Sequence, residues 1–470
     1  MNDASTVTPQ HLGSVRAGLT GAGLPEDSAI LVELLREAES LKSAIASVQA
    51  RAAVALDRVR RAEEEQAGVP AAHRGRGVAG EVALARRESA HRGRRLLSLA
   101  KSLDEELPHT FDRLADGTLS EYRASLVVKE AECLESADRA RLDEDLCQDP
   151  YALDGVGTRT LVGLAKQTAA KHDADAVGGR VRIAESERRV SLRPAPDSMC
   201  YVTALLPVAQ AVAVYATLAK EADGLRQGHG GDVRGRGQLM ADLLVARVTG
   251  ANLPRAEARE AEGAGASDDD GIALSPPAVP VAVNVTISDS ALLGGGSEPA
   301  VVTAGGVPAH AMPAEVARRL VAETLTAEVE VWIRRLYVDP GGNLVGMSSK
   351  SRHFPSGLAQ FLTLRDQGTC RTPYCDAPIR HIDHVTPVKD GGVTEADDGQ
   401  GYCEACNYAK QAPGWDQRTG RDPVGDEGPG RETRHTVTTT TPSGHTYVST
   451  APRPPNSGGT EERESPANES

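Results

Sequence analysis

The sequence CRTPYCDAPIRHIDHVTP occupies residues 370–387, and GYCEACNYAK follows at residues 401–410. These segments hold four of the seven cysteines of the chain, as the pairs Cys370/Cys375 and Cys403/Cys406. Two close pairs of thiolates supply the four soft ligands that a tetrahedral zinc ion prefers. Because such a ligand set leaves no coordination position open, the sequence predicts a structural zinc ion rather than a catalytic one.

A carboxylate and an imidazole stand side by side between the two cysteine pairs, at Asp383 and His384. A hard divalent cation such as Mg²⁺ prefers oxygen ligands, and Asp383 and Asn407 would supply two of them. A neutral His384 next to that ion would be able to take a proton from water. In a regular strand the side chains of Asp383 and His384 point to opposite faces, so a twist or bulge is needed to bring both to one site.

This combination of residues, over roughly positions 358–415, resembles the HNH (ββα-metal) endonuclease family in its zinc-supported, four-cysteine branch. The resemblance implies that His384 is the general base that activates water for attack on a phosphodiester. It also implies that Asp383 and Asn407 bind the catalytic ion, Mg²⁺ or Mn²⁺, while the four cysteines hold structural zinc. The expected fold of this part is therefore a small ββα-metal module.

The resemblance also places Gly391-Gly392 in the connection between the two strands and starts the helix near Cys403. Two positions depart from the family pattern. Asn407 stands where the family often has histidine, and it keeps an oxygen ligand. Asp398 stands where the family has the asparagine that orients the catalytic histidine. Asp398 would accept a hydrogen bond from the imidazole and make it more basic, but it adds negative charge near a phosphate.

The rest of the chain divides by composition into segments of different character. Residues 1–24 are predicted to be a flexible N-terminus, and residues 25–335 a mainly helical domain of unknown role with a few short strands. An acidic, glycine-rich stretch at about 251–279 is predicted to be a disordered insertion. The nuclease module is expected at 336–415. A Gly/Pro/Thr/Ser-rich tail at 416–470 is predicted to be disordered, because that composition cannot bury a core.

A heptad pattern marks the beginning of the helical domain. From Ser28 to about Ala67 the apolar residues recur alternately at three and four positions, which predicts one long helix. That helix either packs within its own domain or joins two copies of the chain in a homodimer. Further along, alternating residues at 181–192 and 201–206 predict a pair of short strands.

Several short motifs of the helical region are similar to those of an uncharacterised helical domain that precedes HNH modules in many actinobacterial proteins. The similarity spans roughly residues 28–350 and implies no established role. The motifs are Leu107-Pro108, Ala115-Asp116-Gly117, Leu206-Pro207 and the pair Gln238 and Asp242.

Arginine is concentrated in one part of the helical region. Seven arginines face only two acidic residues between positions 74 and 95. Such a cluster is able to hold DNA phosphates without reading base sequence, although a solvated helix face is an equally simple interpretation. The candidate nucleic-acid contacts are Arg92, Arg94, Arg95 and Lys410.

The charge balance and the distribution of apolar residues exclude several classes of protein. With 52 basic and 66 acidic residues the net charge is −14, so the chain is not a polycation that coats nucleic acid. It has no apolar stretch long enough to span a bilayer and no secretory leader, so it is expected in the cytoplasm. The sequence favours a divalent-metal-dependent endonuclease acting on DNA, with RNA left open as a substrate. The alternative is a zinc-stabilised nucleic-acid-binding or scaffold protein with a decayed nuclease site.

Overall fold

Eight stretches of the chain are described by the computed structural model. They are residues 6–196, 199–227, 234–250, 283–293, 296–304, 307–326, 353–421 and 434–452. The insertion predicted at 251–279, and the beginning of the predicted nuclease module at 336–352, lie outside the described residues. The chain forms two compact units. The first unit comprises Met1–Val59 and Arg95–Arg180, and the second comprises Arg60–Arg94 and Val181–Ser470.

Helices dominate the described residues. They are α1 (Pro9–Thr20), α2 (Ser28–Gln66), α3 (Val78–Ala85), α4 (Ala90–Glu105), α5 (Pro108–Ala115), α6 (Glu121–Ala131), α7 (Ser136–Cys147), α8 (Thr158–His172), α9 (Ala174–Ser186), α10 (Val208–Gln227), α11 (Arg236–Thr249), α12 (Asp289–Leu293), α13 (Ala314–Thr326), α14 (Ser356–Arg365) and α15 (Glu404–Ala409). Within the described part of the chain, no helix is both long enough and apolar enough to cross a membrane.

The strands form small antiparallel sheets. They are β1 (Arg189–Pro194), β2 (Cys200–Leu205), β3 (Val283–Thr286), β4 (Ala300–Ala304), β5 (Val307–Met312), β6 (His381–His384), β7 (Gly399–Tyr402), β8 (Asp416–Arg421), β9 (His435–Thr440) and β10 (Thr446–Thr450). The sheet orders are β1-β2, β3-β4-β5, β6-β7 and β10-β9-β8. The prediction of a mainly helical chain with a few short strands is confirmed.

The first unit is helical and has a leucine-rich core. Side chains from α4 to α8 meet there, and Leu103, Leu114, Leu142 and Leu161 are fully buried. A carboxylate from α7 also enters this core: Asp143 accepts hydrogen bonds from the N–H groups of His109 (2.7 Å) and Thr110 (2.8 Å). Asp143 thereby satisfies two of the donors that the start of α5 leaves unpaired within the helix.

Two predictions in the helical region need correction, and one is confirmed. The long helix predicted from the heptad pattern is α2. Residues 9–20, predicted to be flexible, form the regular helix α1, which Thr8 caps and which buries no side chain. The strand predicted from Val181 begins instead at Arg189, after α9. Val181 and Ile183 alternate, but both are exposed on α9, so their spacing does not mark the buried face of a sheet.

The second unit contains the ββα arrangement. Strands β6 and β7 pair antiparallel, with His381 opposite Tyr402 and His384 opposite Gly399. Cys403 then caps the N-terminus of α15. Gly391 and Gly392 lie in the connection between the strands, where the resemblance placed them. Gly391 has φ 98°, in the left-handed region, and a Cβ on Gly392 would approach the carbonyl oxygen of Thr386 to 1.8 Å.

The segment predicted as a disordered tail is partly folded, which corrects the prediction. Strands β8, β9 and β10 form a three-stranded sheet within residues 416–421 and 434–452, and the other residues of 416–470 lie outside the described ones. The sheet is fixed to the ββα module because the Tyr402 hydroxyl donates to Gln417 Oε1 at 2.7 Å. The β-branched residues of β9 and β10 favour strands, and the surrounding glycines and prolines conceal these short runs in the overall composition.

Candidate functional site

The four clustered cysteines come together in space. Cys370, Cys375, Cys403 and Cys406 are all buried, and their sulfur atoms lie within 4.8 Å of one another. The first pair precedes β6, whereas the second pair brackets the beginning of α15. The buried phenol ring of Tyr402 packs against the cysteines. Four buried thiols in this arrangement are able to hold a metal ion, as the spacing predicts.

The distances within the cluster agree with a tetrahedral metal site. The sulfur atoms of Cys375 and Cys403 are 3.8 Å apart, and a zinc ion with Zn–S bonds of about 2.3 Å has S···S edges of about 3.8 Å. Cys403 Sγ also accepts the N–H of Cys406 at 3.4 Å. Hydrogen bonds from the neighbouring thiols, that of Cys370 first, lower the pKa of Cys403. Four thiolates this close repel one another, so full ionisation requires a cation among them.

Asp383 and His384 lie together at the end of β6. Asp383 Oδ1 is 3.7 Å from His384 Nδ1, and it accepts the N–H of His384 at 2.8 Å. The His384 side chain is buried, whereas 35% of the Asp383 side chain remains exposed. Since His384 is the last residue of the strand, the chain turns there, and the two side chains share one site despite being neighbours in sequence.

The His384 ring is oriented by residues other than the one predicted. Nε2 lies 2.9 Å from the hydroxyl oxygen of Thr394, and the Phe354 ring stands 4.5 Å from the imidazole at 46°. Asp398, predicted to accept a hydrogen bond from the imidazole, instead binds the loop. Its two carboxylate oxygens accept the N–H groups of Thr386 (3.0 Å) and Val393 (3.1 Å). Asp398 therefore fixes the connection that carries Thr394.

Lys410, predicted as a nucleic-acid contact, is part of the buried cluster instead. Only 9% of its side chain is exposed, and its Nζ lies 3.0 Å from Asp383 Oδ2. The same ammonium donates to the carbonyl oxygen of His384 at 2.6 Å and stands 4.1 Å from the centre of the Tyr402 ring. Burial alone would raise the pKa of Asp383, but the Lys410 charge outweighs it and lowers that pKa.

Asn407 lies on α15, which contacts β6. Its side-chain oxygen Oδ1 is buried and accepts no hydrogen bond from any described residue. A buried carbonyl oxygen without a partner is uncommon, because its desolvation is not compensated. An amide oxygen of this kind suits a hard cation. Asn407 is thus a candidate ligand, and Asp383 is the acidic candidate on the strand that α15 contacts.

A buried ion network supports the module, and no pattern in the sequence indicates it. Asp366 is fully buried between two guanidinium groups, at 2.8 Å from Arg365 and 2.9 Å from Arg371. Its Oδ2 also accepts the N–H of Gly401 in β7 at 2.8 Å. Burial would raise the pKa of Asp366, but the two arginines lower it. Arg365 further donates to the carbonyl oxygen of Gly399 at 2.8 Å, so the network fixes β7.

Helix α3, although distant in sequence, packs against the ββα module. A Cβ on Gly77 would lie 2.5 Å from the indole Nε1 of Trp415, and one on Gly80 would lie 3.1 Å from the same ring. Ala90, at the start of α4, contacts the cysteine cluster. Apart from Arg95, the segment that holds the arginine cluster therefore belongs to the same compact unit as the candidate site.

The predicted arginine contacts are exposed. Arg92 and Arg94 extend from the first turns of α4 in the second unit, and Arg95 begins the part of α4 that belongs to the first unit. Lys410, being buried, is not part of this exposed set. The structure therefore separates the four predicted nucleic-acid contacts into three surface arginines and one buried lysine.

Comparison with known proteins yields a family match for the helical region. No curated protein and no solved structure matches the chain. One family model matches residues 32–366, and its description is a domain of unknown function, DUF222. This match covers most of the helical region and ends at Asp366, before the first cysteine pair. By this match over more than half of its length, the chain belongs to the DUF222 family.

Proposed function

We propose that the C-terminal module is a divalent-metal-dependent HNH endonuclease that hydrolyses phosphodiester bonds of DNA. The order β6, β7, α15 follows the ββα scheme, with one cysteine pair before β6 and the other at the beginning of α15. The observation that carries the proposal is the proximity of His384, a buried imidazole, and Asp383, a carboxylate partly open to solvent.

In this proposal His384 is the general base. If Nε2 donates its proton to Thr394 Oγ1, Nδ1 is the nitrogen left with a free electron pair. Nδ1 then takes a proton from a water molecule, and the water oxygen attacks the phosphorus as the bond to the 3′ oxygen breaks. The Phe354 ring and Thr394 keep the imidazole in one orientation for this transfer.

Asp383 and Asn407 would hold the catalytic ion, Mg²⁺ or Mn²⁺. The buried, unpartnered Oδ1 of Asn407 and the partly exposed carboxylate of Asp383 fit the oxygen preference of such an ion. When bound, the ion would supply positive charge to the scissile phosphate and the leaving oxygen. Lys410 already contributes one positive charge to the same carboxylate.

The cysteines would hold structural zinc in the proposed enzyme. The 3.8 Å separation of two sulfur atoms supports this metal, since it agrees with the edge of a zinc–thiolate tetrahedron. With all four positions taken by sulfur, the zinc would brace β6 and α15 and leave the chemistry to Asp383, His384 and Asn407. A small module of this kind gains folding free energy from a bound metal.

Cleavage of supercoiled plasmid by the purified, zinc-loaded full chain tests the proposal. The assay compares Mg²⁺, Mn²⁺ and no added divalent ion, for the wild type, His384→Ala and the matched control His381→Ala. His381 lies in the same strand, but its side chain is exposed. We expect metal-dependent nicking or linearisation that His384→Ala abolishes and His381→Ala retains. Equal cleavage by the wild type and His384→Ala would contradict the assignment of the base.

The second candidate function is a zinc-stabilised nucleic-acid-binding or scaffold protein with a decayed nuclease site. The ion pair between Lys410 and Asp383 favours it, because the ammonium occupies a carboxylate oxygen that a divalent ion would use. Asp398 also adds a negative charge to the loop beside His384. Absence of plasmid and RNA cleavage by folded, zinc-loaded wild type under each metal condition would favour this function over the enzyme.

A further inference from the structure

The stretch 76–94 of the second unit holds four exposed arginines for which the described residues offer no acidic partner. Arg76, Arg87, Arg92 and Arg94 are exposed, and none lies within ion-pair distance of an acidic group among the described residues. We call these four residues the arginine platform. Glu81, one of the two acidic residues in this stretch, is buried and bound to Arg60 at 3.0 Å, so it does not neutralise the platform.

The platform arginines occupy positions that disfavour them locally. Arg87 joins α3 to α4 with φ 57°, a left-handed conformation that costs a side-chain-bearing residue about 1 kcal/mol or more. Arg92 and Arg94 lie near the N-terminal end of α4, where the helix dipole disfavours positive charge. The left-handed turn at Arg87 is part of the C-terminal cap of α3, because the N–H groups of Arg87 and Glu88 donate to the carbonyl oxygens of Leu84 and Ala83. The charges of Arg92 and Arg94 have no acidic partner among the described residues, and an anion bound to them would offset the helix dipole.

The arginine platform belongs to the same compact unit as the candidate nuclease module. It borders α3, which contacts α15, the helix that carries Asn407. A Cβ on Gly77 would lie 2.5 Å from the indole of Trp415, which leaves no space for a side chain there, and a Cβ on Gly80 would lie tightly against the same ring at 3.1 Å. A ligand that binds the platform is therefore held by the same compact unit as Asp383 and His384.

We propose that the arginine platform binds the phosphate backbone of nucleic acid and holds it for the ββα module. This inference depends on the proposed function for the identity of the substrate. The binding of nucleic acid by the arginine platform does not depend on it. Guanidinium groups pair with phosphate oxygens through two parallel hydrogen bonds. With a net charge of −14 on the chain, such a local basic surface gives nucleic acid a defined place to bind.

The composition of the surface favours nucleic acid over a membrane or an apolar protein partner. Large apolar residues are exposed at Val59 and again at Tyr122, but at none of the described positions between them. A membrane-binding surface would need apolar side chains to enter the lipid. A protein interface would need an apolar core among its charges. The described residues between Arg76 and Arg94 expose neither, and the exposed aromatic side chain of Tyr408 belongs to α15, the helix that α3 contacts.

The test measures binding separately from cleavage. Fluorescence anisotropy of a labelled DNA duplex is recorded for the full-length, zinc-loaded chain carrying His384→Ala, so that the probe stays intact. The platform variant adds Arg92→Glu and Arg94→Glu. The matched control adds Arg51→Glu and Arg159→Glu, which reverse two other exposed arginines. Arg92→Gln with Arg94→Gln replaces the platform variant if the reversal disturbs folding or zinc content.

We expect the platform variant to bind DNA at least tenfold more weakly at about 0.1 M salt, and the control within about twofold of the parent. The slope of log affinity against log salt should fall by about 0.9 for each phosphate that the protein no longer neutralises, hence by about 2 in the double variant. Unchanged affinity and slope would overturn the inference, as would equal competition by polyglutamate, which would indicate an acidic protein partner. If the platform variant loses binding but the wild type never cleaves, the platform stands and the nuclease proposal fails. If the wild type cleaves DNA and the platform variant binds DNA normally, the nuclease proposal stands and the platform inference fails.

Discussion

Lys410 Nζ lies 3.0 Å from Asp383 Oδ2 and 2.6 Å from the carbonyl oxygen of His384. One buried ammonium thus joins α15 to the end of β6 and neutralises the carboxylate of the candidate site. Burial lowers the pKa of Lys410, and the Asp383 charge opposes that effect. The lysine has a structural role and an electrostatic role at the same time, and the two can be measured separately.

Substitution Lys410→Met should remove the ammonium while keeping the length of the side chain. We expect the free energy of unfolding to fall by about 3 kcal/mol, because Asp383 and the His384 carbonyl oxygen lose a buried partner. Mg²⁺ affinity, measured by calorimetry, should rise, since the carboxylate becomes free. The control Lys389→Met changes an exposed lysine and should alter neither quantity. A Lys410→Met protein with unchanged stability would contradict the structural role.

The ion network around Asp366 should dominate the stability of the module. Asp366→Asn leaves Arg365 and Arg371 buried without their carboxylate, so we expect a loss of about 3–5 kcal/mol in urea unfolding. Asp376→Asn, at an exposed position in the same module, should change stability by less than about 0.5 kcal/mol. Similar small effects from both substitutions would argue against a stabilising role for the network.

The contact between α3 and Trp415 leaves no space for an extra methyl group. Gly77 has φ −83°, which alanine adopts freely, so a substitution there tests space rather than backbone conformation. Gly77→Ala should destabilise the second unit by about 1–3 kcal/mol, because its Cβ would lie 2.5 Å from the indole nitrogen. Gly357→Ala, in α14, meets nothing within 4 Å and should be neutral or slightly stabilising. Thermal unfolding compares the two variants.

His435 should make the stability of the C-terminal sheet depend on pH. Burial first, and then the charges of Arg365 and Arg371, lower the pKa of His435 to about 4. In the unfolded chain the pKa is about 6.5, so acid favours the unfolded state, which binds the proton more tightly. Stability should therefore fall as pH decreases from about 6.5 to about 4, by an amount on the order of 2 kcal/mol. His435→Gln should flatten this part of the curve, and parallel curves for both proteins would be inconsistent with a neutral, partly buried His435.

Zinc should be necessary for the fold of the module. Cys403→Ser should lower the metal content, measured by mass spectrometry, from one zinc per chain and should increase proteolysis of the second unit, because metal binding contributes folding free energy. Cys200→Ser replaces an exposed free thiol outside the cluster and should leave both readouts unchanged. A Cys403→Ser protein with full zinc content and normal protection would exclude the four-cysteine site.

The sequence predicts what depends on local spacing. The heptad pattern identified α2, and the two cysteine pairs identified the buried sulfur cluster. The resemblance to the HNH family implied that Gly391 connects two strands and that a helix begins near Cys403, and the structure has this order. Local patterns are sufficient for these features, since the residues concerned are close in the chain or share a periodicity.

Contacts between distant residues could not be predicted in this way. Asp398 matched the distance of an imidazole partner, yet its oxygens cap the N–H groups of the loop while Thr394 approaches His384. Lys410 is one basic residue among many in sequence, and only the packing of α15 on β6 buries it. The β-branched residues of β9 were concealed by the composition around them. Each of these features depends on tertiary packing, which the spacing of residues along the sequence does not determine.

The packing of Gly77 and Gly80 against Trp415 has an evolutionary consequence. The DUF222 match ends at Asp366, but α3, which lies inside it, forms part of the surface that covers the indole ring. A C-terminal module acquired from another gene would need, at the position of Trp415, a residue that packs against these glycines. A larger residue would clash with α3, and a smaller one would leave a cavity. The two halves of the chain are therefore expected to be inherited together, and changes at positions 77, 80 and 415 should be correlated among relatives.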